Sequence, residues 1–211
     1  MDKAVAIFAV LVLSVCSFKT LTASDRVENG LIASYDFDEV DGRTVHDRSG
    51  VGEALDLIID RPGSVRWESG KLSVVSSTQI VSYKSARKVV DALKQSNALS
   101  LEAWVTPATT DQTGPARIVS LSANPSFRNF TLGQDTDHFD VRLRTTKTDA
   151  NGNPSTAAPA KSLAAKLTHI VFTRDAAGSA VIFVDGQSVV TAAVGGDLSN
   201  WDASHRMTLA N

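Results

Sequence analysis

The residues able to do acid–base or metal chemistry are few and scattered. Histidines stand at positions 46, 138, 169 and 205. None has a His or Cys two or four positions away, the spacing that puts two metal ligands on one strand or helix face. Cys16 is the only cysteine, which excludes an intramolecular disulfide and any multi-cysteine zinc site. No Gly-x-Ser-x-Gly turn is present to raise a serine nucleophile. Carboxylates come closest to a pattern. Alternate carboxylates on one strand share a face, where one can attack while the other donates a proton. Asp135-x-Asp137-x-x-Asp140 has a suggestive spacing, but it reads as crossing a turn, which makes the three solvated loop carboxylates. Glu102 stands between Ser100 and Trp104 on its strand face, with no acidic residue two or five positions on. His169, inside a β-branched run, reads as structural or solvent-facing rather than as a base.

The elements around these residues are globular in composition. The 211 residues are 43% hydrophobic and 21% charged, with a formal net charge of −2. Disorder calls for fewer apolar residues and more charge. A nucleic-acid binder calls for a basic face, and no long single-sign run exists here. Residues 1–23 differ from the rest. Lys3 precedes an uninterrupted apolar run over residues 4–15, too short for the roughly 20 residues that span a bilayer. This reads as a secretory signal peptide, with an N-terminal core strand or helix as the competing reading. Cleavage fits after Ala23, where Leu21 is bulky for its place. The alternative, Leu13-Ser14-Val15-Cys16, resembles a bacterial lipoprotein box, with Val15 where a smaller residue belongs. Membrane attachment would follow only from a lipid on Cys16.

From Ser24 onward, short apolar runs alternate with turns. Strands are predicted at 31–37, 54–59, 65–67, 71–75 and 79–83, separated by Asp41-Gly42, Asp47-Arg48-Ser49-Gly50, Pro62-Gly63 and Ser69-Gly70. Ala86, Val89, Val90 and Leu93 recur at helical spacing, so one short helix is predicted near 86–96, capped by Ser85 and ending near Asn97. Strand alternation resumes over 98–105 and stops at Pro107. The clearest hairpin region is 167–190: a β-branched strand, a Gly-containing loop, an apolar strand, then Asp185-Gly186 as a primed turn. Residues 145–160 hold almost no large apolar side chain. They read as a long surface loop inside one sandwich rather than a linker, because neither half has strands enough to close a core. The fold class is therefore all-β, a sandwich.

The segment LTHIVFTRDAAGSAVIFVDGQSVV at 167–190 resembles the late hairpin of laminin-G-like domains, within the concanavalin A-like lectin and glucanase superfamily. Residues 30–39, His46-Asp47-Arg48-Ser49-Gly50, LSLEAWVTP at 99–107 and GQDTDHFDVRLRT at 133–145 match further family segments in order. The resemblance implies an antiparallel jelly-roll over 24–211, with Trp104 buried in the core. It also implies a last apolar strand beyond Asn211, so the chain is expected to be a piece of a longer protein with an unpaired sheet edge.

For chemistry, the resemblance implies no catalysis, because the Glu-x-Asp-x-x-Glu strand of the superfamily's glucanases is absent. It implies a calcium ion at the sandwich rim, with Asp137 and Asp135 as candidate ligands. Trp67, Tyr83 and Trp201 are candidates for exposed sugar-stacking surfaces. The expected function is an exported, non-catalytic recognition module in the secreted or envelope space, binding a glycan or an extracellular or envelope protein through rim loops such as 144–160. The alternatives are an accessory fragment of a larger secreted protein or enzyme, and a polysaccharide hydrolase or lyase with an atypical site.

Overall fold

The computed structural model describes residues 5–8 and 29–210. Cys16, the cleavage positions and Asn211 lie outside the described residues. One sheet runs in the order β14 (Gln187–Ala193), β13 (Ser179–Val184), β12 (Thr168–Arg174), β7 (Leu99–Pro107), β1 (Val5–Phe8), β5 (Lys71–Val74), β4 (Val65–Glu68). The other runs β11 (Thr156–Ala157), β10 (His138–Leu143), β9 (Phe127–Asp135), β8 (Ala116–Asn124), β15 (Arg206–Leu209), β6 (Ile80–Ser82), β3 (Leu57–Ile59), β2 (Thr44–Val45). The pairings are antiparallel, and one helix, α1 (Arg87–Ser96), closes a side of the sandwich.

Period-two alternation divides each strand between core and surface. Along β7, Leu99, Ala103, Val105 and Pro107 turn inward, while Ser100, Glu102, Trp104 and Thr106 turn outward. Along β12, Ile170 and Phe172 are fully buried. They meet Phe130, Leu132, Phe139 and Val141 of the opposite sheet in one continuous core. Alternation also corrects the placement of Trp104. It stands on the outward face of β7, directly across from His169. The core tryptophan is Trp201, only 2% exposed and tilted against Phe130. Its Nε1 donates to the Arg144 carbonyl at 2.6 Å, so burial leaves no orphaned donor.

Other expectations hold at the level of backbone chemistry. Asp185 and Gly186 both adopt positive φ, 48° and 78°, as a primed two-residue turn requires. Asn97 ends α1 in the left-handed region at φ 50°. Ser85 does not cap the helix. Ala86 occupies the cap position, and its N–H donates to the His205 carbonyl at 2.9 Å instead. Residues 31–37 are buried in part but form no strand. Phe37 turns the chain at φ 54°, and Tyr35 Oη donates to the Leu55 carbonyl at 2.7 Å. Residues 145–160 fold onto the sandwich, where β11 extends the eight-stranded sheet beside β10.

Candidate functional site

The register of β8, β9 and β10 assembles a polar face on the side of the eight-stranded sheet away from the core. Arg142, Thr131, Ser120 and Thr208 lie in one cross-strand row, since Arg142 pairs Thr131, Thr131 pairs Ser120, and Ser120 pairs Thr208. Asp140, Gly133 and Arg117 form the adjacent row. A register shift between Leu121 and Ser122 brings Arg128 opposite Ser122, onto the same face. The hydroxyls are linked: Ser120 Oγ lies 2.7 Å from Thr131 Oγ1 and 3.1 Å from Ser122 Oγ.

Three arginines therefore converge around Thr131. Arg128 is 1% exposed and its Nη1 donates to Thr131 Oγ1 at 2.9 Å. Its Nη2 donates to the Pro125 carbonyl. The Nε atoms of Arg128 and Arg117 are buried without a hydrogen-bond partner. The one carboxylate in the row is Asp140, whose Oδ2 accepts from Arg142 Nε at 3.4 Å. Burial, then the neighbouring Arg142 and Arg117 guanidiniums, pushes Arg128 down to about 10, against the opposing pull of Asp140 and of Asp149 from the loop after β10. Burial alone pushes Arg117 down. Desolvated cations without full pairing are costly. Arg128 and the hydroxyls of Ser120 and Thr131 are buried, so an anionic group docking on this face would meet the partly exposed Arg117 and Arg142.

The seven-stranded sheet presents a different cluster. His169 Nε2 lies 2.9 Å from Glu102 Oε1, and the His169 ring stacks on Trp104 at 4.5 Å between centroids. The Trp104 Nε1 is buried without a partner. Glu102 and His169 lie 67 residues apart, and only the β7–β12 register joins them, so the sequence shows them as separate residues.

Asp135 ends β9 and Asp137 sits in the turn before β10, with Thr136 between them at φ 52°. Asp140 lies within β10, across that turn. Asp137 Oδ1 is 3.6 Å from His138 Nδ1, and the Asp137 carbonyl accepts the Leu163 N–H at 3.0 Å. Calcium takes six to eight oxygens, commonly with several carboxylates. Among the described residues, the set of three acidic side chains close enough to share an ion excludes this pair; it is Asp36, Asp38 and Glu39.

Of the aromatic candidates, Tyr83 is 74% exposed, while Trp67 is half-buried and donates to the Gly42 carbonyl at 3.3 Å. Residues 147–148 and 154–156 line a hollow of 250 Å³ with Ala192–Gly195, which places the predicted rim loop at a surface recess. A neighbouring hollow of 490 Å³ is lined by small residues such as Gly178, Ser179 and Thr191 and holds no charged side chain.

The fold is similar to the binding domain of botulinum neurotoxin DC solved with rat synaptotagmin II, at 15% identity and TM-score 0.58 over 87% of this chain and 44% of that one. It is similar to the botulinum neurotoxin serotype C1 binding domain, at 13% identity and TM-score 0.59 over 87% and 43%. A third similar structure is of botulinum neurotoxin type C, whose cell entry depends on interaction with two ganglioside molecules, at 14% identity and TM-score 0.58 over 86% and 43%. The chain thus spans less than half the length of these domains. No curated protein matches the sequence. The laminin G family model of the concanavalin A-like lectin and glucanases superfamily matches residues 81–211. With its two antiparallel sheets and a match across more than half its length, the chain belongs to that superfamily.

Proposed function

We propose that the protein is an exported, non-catalytic recognition module, and that it binds an anionic glycan through the outer face of its eight-stranded sheet. The observation that carries this reading is the convergence of Arg117, Arg128 and Arg142 around linked hydroxyls, with Asp140 as the only carboxylate in those rows. Guanidinium forks pair with the two oxygens of a carboxylate or with two oxygens of a sulfate, and the partly exposed Arg117 and Arg142 are placed to offer them. An acidic stretch of an extracellular or envelope protein offers the same chemistry and is the alternative ligand. The similar toxin domains, which engage gangliosides and a synaptotagmin, support both choices. An accessory role within a larger secreted protein is compatible with the same site.

A glycan-array screen of the full chain, repeated with Arg142→Gln and Arg117→Gln, tests the reading. Uronate- or sulfate-bearing glycans should bind, and each substitution should weaken them about tenfold, roughly 1.4 kcal/mol. Binding should also fall steeply with added salt. Preference for neutral glycans, or affinity unchanged in both variants, would overturn the site. Turnover of a polysaccharide would overturn the non-catalytic reading.

A further inference from the structure

Each sheet ends in two edge strands, and an edge with free N–H and C=O groups pairs with another chain unless something blocks it. Three of the four edges among the described residues are blocked. β2 and β11 are two residues long, with Arg43 just ahead of the first and Pro154 just ahead of the second. β4 is four residues long and exposes Arg66 and Glu68. The fourth edge, β14, runs for seven residues, QSVVTAA, without a charge or a proline.

The register fixes which of its backbone groups are free. Ser179 lies opposite Ala193, and the Val194 N–H donates to the Gly178 carbonyl at 2.8 Å, just beyond that pair. Ser179 and Ala193 are therefore a pair without mutual hydrogen bonds, whose N–H and C=O groups point away from each other. The same holds two residues back for Thr191, opposite Val181. A register shift between Ile182 and Phe183 interrupts the ladder before Val190, so the straight part of the edge is residues 190–193. Thr191 and Ala193 are exposed there. Among the described residues, no further strand reaches them with a backbone hydrogen bond.

The surroundings say what fits. The hollow of 490 Å³ beside this edge is lined by small residues, with no charged or aromatic side chain. A foreign peptide added to an edge is selected by pockets for its alternate side chains, and this wall offers none. A second copy needs no pocket. Turned about a twofold axis through Ala192, β14 sets Thr191 against Ala193 of the partner subunit, and Ala193 against the partner's Thr191. Both become pairs of the hydrogen-bonded kind, each exchanging both of its N–H···O=C bonds. Small side chains meet across the axis, and neither strand carries a charge to oppose the approach.

We propose that the chain forms a twofold dimer by antiparallel pairing of β14 with β14 of a second copy, which joins the two seven-stranded sheets into one. The axis stands perpendicular to the joined sheet, so both eight-stranded sheets lie on the same side and their polar faces look the same way. On a surface dense in one ligand, that arrangement adds avidity.

Sedimentation velocity of the full chain over a rising concentration series tests the proposal. Wild type should pass from monomer to dimer and stop there, because β14 is its one unblocked edge among the described residues. Charges on an edge strand are what natural sheets use to prevent pairing. Thr191→Lys and Ala193→Asp, both at exposed positions, should each weaken the dimer at least about tenfold. Mixed together, the two variants should dimerise again, since the pairing sets position 191 of one copy opposite position 193 of the other. A wild type that stays monomeric at every concentration, or that assembles past the dimer, would overturn the proposal. So would a dimer that both variants leave intact, or a mixture that stays monomeric. Should either variant fail to fold, hydrogen exchange of the Thr191 and Ala193 amides in wild type decides: protection rising with concentration supports the pairing, and fast exchange at every concentration overturns it.

Discussion

Asp47→Ala removes the carboxylate that ties the largely irregular segment of residues 29–56 to the rest of the sandwich. Its side chain is fully buried, and both oxygens are shared. Oδ1 accepts the N–H groups of Ser34 at 3.1 Å and Ser49 at 3.0 Å. Oδ2 accepts the Leu55 N–H at 3.0 Å and the Lys88 ammonium from α1. Truncation therefore strands two buried backbone donors and half of a buried ion pair. Breaking such a pair from one side costs about 3–5 kcal/mol. The lower end applies here, because Lys88 keeps the Val51 carbonyl at 2.8 Å and Ser49 Oγ at 3.3 Å. For a domain of this size that is a melting temperature about 6–12 °C lower. Urea unfolding followed by circular dichroism reads the loss directly. The charge has its own signature. Burial pushes the Asp47 carboxyl up, but the Lys88 ammonium and the N–H groups of Leu55 and Ser49 outweigh it and hold it below the usual range. Stability from this group is thus complete above about pH 4 and is lost as pH falls through the folded value. The variant should lose that acid limb while keeping its other transitions. A loss below about 1 kcal/mol, with an unchanged denaturant slope, would refute the account of the segment as anchored through this one carboxylate.

Further outcomes follow from burial and register. His205 is nearly buried and its Nδ1 has no partner. Burial pushes its pKa down, against the opposing pull of Asp202. The folded state therefore favours the neutral ring, and stability should decline as pH falls below about 6.5. His205→Gln should flatten melting curves taken between about pH 7.5 and 5.5, and a flat wild-type curve would count against this. Trp104→Ala should cost about 1–2 kcal/mol, the stack on His169 plus part of its area. Trp201→Ala should cost about 3–5 kcal/mol, because it empties the core. Equal losses in chemical denaturation would refute the assignment of the two tryptophans to different faces.

What the sequence shows and hides follows from how far apart the partners lie. Strand alternation, the Asp185-Gly186 turn and the left-handed Asn97 are local, so they are legible in a few residues. Trp104 and Trp201 are not. Which face a tryptophan takes depends on strand parity and on whether its N–H finds an acceptor, and Trp201 finds the Arg144 carbonyl 57 positions away. The three arginines are separated in the chain and meet only because a register shift between Leu121 and Ser122 moves Arg128 onto the face of Arg117 and Arg142. No periodicity announces a bulge. Asp36, Asp38 and Glu39 are adjacent in sequence, yet nothing there marks Glu39 as the buried member. That follows from the chain turning at Phe37 and from the His46 N–H reaching back to it.

The N-terminal apolar run faces two demands that the same four residues cannot both meet. Val5–Phe8 pairs on both sides: Val5 with Val74 and Pro107, Ile7 with Leu72 and Val105. Those four neighbours face the core. A strand in that position must be apolar at alternate residues, and a run without polar residues satisfies this in any register. An export signal needs the same lack of polar residues for a different reason, and is then removed. Cleavage after Ala23 would leave β5 and β7 facing each other across about 10 Å, two strand spacings, with their inner edges unpaired. Amides of Leu72 and Val105 should then exchange much faster in the cleaved chain than in the full-length one. Equal protection in the two would mean that β5 and β7 close the gap on their own, and the run would then be a signal with no structural duty. The intact mass of the protein purified from its native source shows which chain the cell keeps. A retained run would make it a permanent strand and overturn the signal reading, whereas its loss would mean that the mature sheet carries an edge that something else must cover.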